Sequence, residues 1–205
     1  MFYIRHNHEG AITEIVNVAN DLATGRDTTD VIGITSDVGV KLIQQMLLSS
    51  MATQGVIPTY SLYYEQGKVV LKPNMVSLKI NRSKLLSSQC ADACASGTTS
   101  TALGEEYFYP TQAQDQQNLA AIVTASHRTG IPSDWSVVTW CCKPDQDDTW
   151  ALREHTAQQI QEVGESVLRH IETQRKRLRD LASQVNAIST EPTEANVAAL
   201  EAIQW

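Results

Sequence analysis

Residues 156–188 read TAQQIQEVGESVLRHIETQRKRLRDLASQVNAI, and this stretch decides the fold. No proline interrupts it, and its single glycine is Gly164. Thr156 and Gln159 fit a capping box, in which the Thr hydroxyl takes an orphan amide and the Gln side chain reaches back. Glu162 and Glu165 come early while Arg175, Lys176, Arg177 and Arg179 come late, an order that the helix macrodipole favours. At 1.5 Å per residue the run predicts a helix about 50 Å long. Set in heptads, the a positions are Ile160, Val167, Gln174, Leu181 and Ile188, and the d positions are Ala157, Gly164, Ile171, Leu178 and Val185. Eight of these ten are apolar once alanine is counted, which is a coiled-coil pattern. Gln174 and Gly164 weaken the seam, although a polar a residue can fix register. The expected oligomerisation residues are Ile160, Val167, Ile171, Gln174, Leu178, Leu181, Val185 and Ile188. Self-association is the favoured expectation. The alternative is a hairpin within one chain, with Glu194 to Ile203 folding back across Pro192 onto the same stripe.

Upstream, the pattern predicts an α+β chain in three sections: 1–80, 81–153 and 154–205. In the first, Phe2, Ile4 and His6 alternate with Tyr3 and Arg5 before the turn residues Glu9-Gly10, and Ala11 to Val18 can pair back. Residues 20–35 read as loop. Ser36 and Asp37 offer caps for a helix from Val38 to Met51. Tyr60 to Glu65 and Lys68 to Lys72 form the clearest hairpin, turning at Gln66-Gly67. In the second section Lys84 to Ala95 reads as helix, Thr98 to Tyr109 as strand, Asp115 to His127 as helix and Trp135 to Cys142 as strand. The third section is the long helix followed by a short terminal one.

Composition bounds the function. The chain has 205 residues, a net charge of -7 and 42% hydrophobic residues. A pI near 5.2 is unlike that of a nucleic-acid binder, which usually carries a basic face. The most apolar run, Val38 to Met51, contains Lys41, Gln44 and Gln45, so no membrane span is expected. No apolar stretch follows the N-terminus as a secretory leader requires. The four cysteines, 90, 94, 141 and 142, are sparse for a disulfide framework and suggest reducing synthesis.

Candidate chemistry is thin. Only the Cys90/Cys94 pair has zinc-like spacing, because adjacent Cys141 and Cys142 would point to opposite faces of a strand. The cysteines therefore read as small, buried, half-apolar residues. His6 and His8 share a strand face beside Glu9 and want a third ligand to hold a metal. His127, His155 and His170 are isolated, and His155 sits where it could orient the helix cap. The nucleotide, hydrolase and zinc-protease motifs are not found. The expectation is of no catalytic residues, no cofactor and no metal.

Residues 103–188 resemble an uncharacterised domain that recurs in bacteriophage tail-fibre and tail-assembly proteins. The resemblance rests on Gly104 with Tyr107-Phe108-Tyr109-Pro110, Asp115-Gln116 with Asn118-Leu119, Trp140-Cys141-Cys142, Trp150, and His155-Thr156 with Gln159-Ile160 and Val163-Gly164. It implies a non-enzymatic virion protein of the tail, fibre-associated or an adaptor at the baseplate or tail tip. A tail-fibre assembly chaperone is the alternative. Its partners would be other tail or fibre proteins and copies of itself, with a trimer favoured. It would be made in the host cytoplasm and reside in the virion. The aromatics Tyr107 to Tyr109, Trp135, Trp140 and Trp150 would supply a core or a docking face. The strand edges of the N-terminal section would suit strand addition by another tail protein.

Overall fold

The computed structural model describes residues 2–16, 32–34, 39–41, 43, 59–144 and 149–205. The fold is α+β, strand-rich near the N-terminus and dominated by a long helix near the C-terminus. The chain gathers into two compact units. One comprises Met1–Arg82 with Val185–Ile203, the other Ser83–Gln184 with Gln204–Trp205. By compactness, then, residues 154–205 are shared between two bodies, where the sequence pattern sets them apart as a third section.

In the first unit, β1 (Phe2–His6) pairs antiparallel with β2 (Ile12–Val16) and with β3 (Ile32–Ile34), in the order β2-β1-β3. The strand β3 corrects the reading of residues 20–35 as loop. Ile32 and Ile34 flank Gly33 and pair with Ile4 and Phe2. The expected hairpin is β4 (Tyr60–Glu65) with β5 (Lys68–Pro73), fully paired across its length. Gln66 and Gly67 both take positive φ at its turn, as a tight right-twisted hairpin requires. Gly10 brings the two sheets together: its carbonyl accepts from the Tyr64 amide at 2.7 Å, and a Cβ there would lie 2.9 Å from the Tyr64 oxygen. Ile4, Ile34, Ile43, Leu62 and Val69 form the core. Of the helix expected over Val38 to Met51, Gly39, Val40, Lys41 and Ile43 are helical, and the rest lies outside the described residues.

Helix α1 (Met75–Ala95) begins nine residues before the predicted start at Lys84. The cause is Asn74, placed after Pro73, whose side chain accepts from the Ser77 amide at 3.1 Å. Lys79, in this first part of α1, donates to the carbonyls of Asn186 and Ile188 at 3.1 and 2.7 Å. A cation there satisfies orphan carbonyls at a helix C-terminus. Val185, Leu200 and Ile203 are buried in this unit. A short terminal helix over Glu194–Glu201 is capped by Thr193, whose hydroxyl accepts from the Asn196 amide.

In the second unit, the predicted strand Thr98 to Tyr109 is instead a hairpin, β6 (Thr98–Ser100) and β7 (Tyr107–Tyr109). Gly104, with φ +86°, turns the chain between them. Helix α2 (Ala113–Ser126) follows, with Asp115 accepting from the Gln112 amide at its start. Strand β8 (Ser136–Cys141) pairs with β9 (Ala151–Thr156), which the sequence pattern does not reveal. A bridge between Phe108 and Cys142 joins the two hairpins edge to edge. Helix α3 (Ala157–Ala187) then starts with the expected capping box: Gln159 accepts from the Thr156 amide at 2.9 Å, and Thr156 accepts from the Gln159 amide at 3.3 Å. Helix α4 (Glu194–Glu201) closes the chain's regular structure.

The core of this unit is Tyr107, Tyr109 and Cys141 from the strands against Ile160, Val163, Val167 and Ile171 of α3, with Leu119, Ile122 and Val123 of α2 packed on it. Gly164 is explained by this packing. A Cβ there would come within 2.8 Å of Val123, so α2 lies against α3 only because the side chain is missing. Gly97 has a similar role at the end of α1. Its φ is +91°, its amide donates to the Thr111 hydroxyl, and that hydroxyl donates to the Cys94 carbonyl. A Cβ on Gly97 would meet the Phe108 ring at 1.9 Å.

Gly97→Ala should therefore cost about 3 kcal/mol or more through overpacking and backbone strain. Gly104→Ala, which meets open space, should cost only about 1 kcal/mol. Thermal melts of the two variants test this. Equal losses would show that Phe108 moves aside freely.

Candidate interaction face

The β8–β9 hairpin has two unlike faces. Period-2 alternation sends Val137, Thr139 and Cys141 of β8 to the same side as Ala151, Arg153 and His155 of β9. That inner side is half-buried or buried, and it meets the core.

A polar cluster lies at its centre. His155 is fully buried, and its two ring nitrogens lie 2.9 Å from the Tyr109 hydroxyl and 2.9 Å from the Arg153 carbonyl. A carbonyl only accepts, so Nδ1 carries the proton and Nε2 accepts from Tyr109. Burial pushes His155 below its ordinary pKa, against the opposing pull of its bond to the Arg153 carbonyl. The side chain is thus a neutral, satisfied core histidine that ties β9 to β7. Burial likewise raises the Tyr109 hydroxyl and the Cys141 thiol, which are hydrogen-bonded to each other. The Arg153 guanidinium lies 4.7 Å from the Tyr107 ring centroid, a cation–π contact on the same face.

The outer side is apolar where solvent would favour polar residues. Val138, Trp140 and Leu152 are 56%, 52% and 54% exposed, and Trp140 and Leu152 are cross-strand partners. Trp150, just before β9, is 38% exposed and packs edge-on against Phe108, with centroids 5.8 Å apart. Taking about 250 Å² for a whole indole side chain, the two tryptophans alone leave on the order of 200 Å² uncovered. With Val138 and Leu152 added the exposed apolar area reaches a few hundred Å², about that of the largest patch on an ordinary monomer, which is often functional. The other sequence-expected aromatics divide: Tyr107 and Tyr109 are core, while Phe108 and Trp135 are half-buried.

The residues expected to join copies of the chain divide as well. Ile160, Val167 and Ile171 are buried by the strands and α2 of their own unit. Val185 is buried in the other unit, and Ile188 is half-buried there. Gln174, Leu178 and Leu181 are half-buried. The cysteines 90, 141 and 142 are buried thiols and Cys94 is half-buried. His6 stacks on Tyr64 and His8 sits 3.8 Å from Glu9 at the surface. His170 bonds the Ala93 carbonyl at the end of α1. Among the described residues, no three of His, Cys, Asp and Glu gather around a common point, and no helix is long and apolar enough to cross a membrane.

Sequence reasoning missed β9 because its inward residues, Arg153 and His155, are polar and hide the alternation. Read against Val138 and Trp140, the outward Leu152 was the signal that could have found it.

These features define an α+β protein with an exposed aromatic sheet face above a buried histidine–tyrosine pair. Residues 78–203 match the family described as a domain of unknown function, DUF4376, and the chain belongs to that family. No curated protein matches the chain. No solved structure matches it.

The histidine has a pH consequence. The unfolded chain takes a proton at this position below about pH 6.5, while the folded chain holds it neutral. Unfolding therefore takes up a proton there, and stability falls as pH drops through that value. The urea midpoint should decline between pH 7.5 and 5.5. In His155→Phe, which is less stable throughout, the decline should be shallower. Parallel declines would show that other groups carry the dependence.

Proposed function

We propose that this chain is a non-enzymatic structural protein of a bacteriophage tail, fibre-associated or an adaptor at the baseplate or tail tip. One observation carries the reading: Val138, Trp140 and Leu152 expose large apolar side chains on one sheet face, and Trp150 just before β9 is partly exposed as well. An exposed apolar patch on one sheet face is often a site of contact with another protein. The resemblance of residues 103–188 to a tail-associated domain supplies the context, and the partner is another tail protein. Made in the host cytoplasm, the chain would end in the virion.

Self-association belongs to the same proposal, but it uses a shorter stretch of α3. Ile160, Val167 and Ile171 are occupied by their own chain, which leaves Gln174, Leu178 and Leu181 for contact between copies.

Mass spectrometry of purified particles should find the chain in stoichiometric amount. Its absence there, with recovery on fibres before assembly, would replace this reading with the chaperone. Trp140→Ser with Leu152→Ser should weaken partner binding by roughly 30-fold, about 2 kcal/mol, if Trp140 is a hot spot. Unchanged incorporation of this variant would remove the sheet face from the proposal.

Leu178→Glu with Leu181→Glu should dissociate an oligomer and lower its sedimentation mass. Ile171→Glu should instead unfold the second unit, since Ile171 belongs to its core. An unchanged mass in the first variant would show that copies do not meet through α3.

A further inference from the structure

A second surface of the same unit is independent of the sheet face. Helices α2 and α3 touch closely where Val123 fills the space left by Gly164. Beside that contact a groove of about 450 Å³ opens between them, with Leu119, Val123, Val167, Leu168 and Ile171 among its walls. Leu168 stands at its rim, 56% exposed.

The same helix then continues into a row of cations. Arg175 lies seven residues beyond Leu168 and Arg179 four residues further, so all three fall on one face of α3. From Leu168 to Arg179 the row spans about 17 Å at the helical rise. Arg169 and Lys176 flank it, and all four cations are exposed. Among the described residues, no carboxylate lies within 4.0 Å of any of them, although Glu172 sits one turn from Lys176 and could have paired with it. Arg177 differs, because it lies 4.9 Å over the Trp205 ring. The chain as a whole is acidic, at -7, so this row is a local reversal of sign.

The geometry points to a docking groove for an acidic amphipathic helix of a partner protein. Apolar residues of that helix, spaced three and four apart, would seat against Leu119, Val123 and Leu168. Aspartates or glutamates one or two turns along it would lie over Arg175, Lys176 and Arg179. Glu165 in the groove wall and Glu172 beside the row oppose this charge, but the cations Arg169, Arg175, Lys176 and Arg179 outnumber them and select an acidic over a neutral or basic helix, with a salt-dependent on-rate.

The test uses the full chain and a fluorescein-labelled 18-residue peptide of leucine and glutamate in that phase. Anisotropy should report binding that weakens at least fivefold between 50 and 300 mM NaCl. Leu168→Glu and the double variant Arg175→Glu/Arg179→Glu should each weaken it at least tenfold. All three positions are on the surface, so melting should stay unchanged in the two variants. The double variant Trp140→Ser/Leu152→Ser should bind the peptide normally, which separates this site from the sheet face. Equal binding of a peptide with the same composition and scrambled phase would overturn the proposal in favour of plain charge attraction. So would unchanged binding in both α3 variants, or preferential binding of duplex DNA or anionic lipid vesicles. Burial of the groove by a second copy, seen as concentration-dependent mass lost in Leu168→Glu, would also overturn it.

Discussion

A long amphipathic helix cannot be stable in water with its apolar stripe bare, and in this chain the stripe of α3 is covered from Ile160 to Ile171 by the chain itself. Each of those aliphatic side chains is worth about 2 kcal/mol or more when buried. The coverage requires two neighbours of different kinds. The strands supply Tyr107, Tyr109 and Cys141, and α2 supplies Leu119, Ile122 and Val123. Gly164 lets the helix approach, and without it Val123 would collide with a Cβ. The residue that weakens the heptad pattern is thus the one that allows intramolecular packing.

The buried polar pair is the second constraint. His155 and Tyr109 give each other the hydrogen bond that burial would otherwise deny them, and the Arg153 carbonyl occupies the remaining nitrogen. The pair fixes β9 against β7 and β8 from below. That leaves Trp140 and Leu152 facing outward on a firm two-stranded platform. A pair of strands alone is marginal in water, so the platform depends on this anchoring and on the Phe108–Cys142 bridge.

Much of the fold was legible. The hairpin at Gln66-Gly67, the capping box at Thr156 and Gln159, and the long helix all follow from local rules about turns, caps and period. The legible parts share short range: each is decided by residues within one turn of one another. The hairpin in 98–109 and the early start of α1 were less visible. Their signals, Gly104 and Asn74, are single residues inside stretches whose bulk reads otherwise. The candidate face was half legible. Its tryptophans stood out as aromatics, but which of them point outward depends on β9, whose inward Arg153 and His155 break the usual pattern.

The sequence by itself determined that the chain is α+β and that residues 156–188 read as one helix with one apolar stripe, of which Ala157–Ala187 are helical in the structure. Periodicity and capping are properties of neighbouring residues and need no partner. Only the tertiary structure decided where that stripe is spent. An apolar stripe states that it must be buried, and says nothing of whether another copy or the same chain will bury it. Gly164 opposite Val123, together with Ile160 through Ile171 against the strands, settles this for the first part of the helix. The physical reason is proximity: residues of one chain meet at high effective concentration, so a complementary surface in the same unit takes the stripe first.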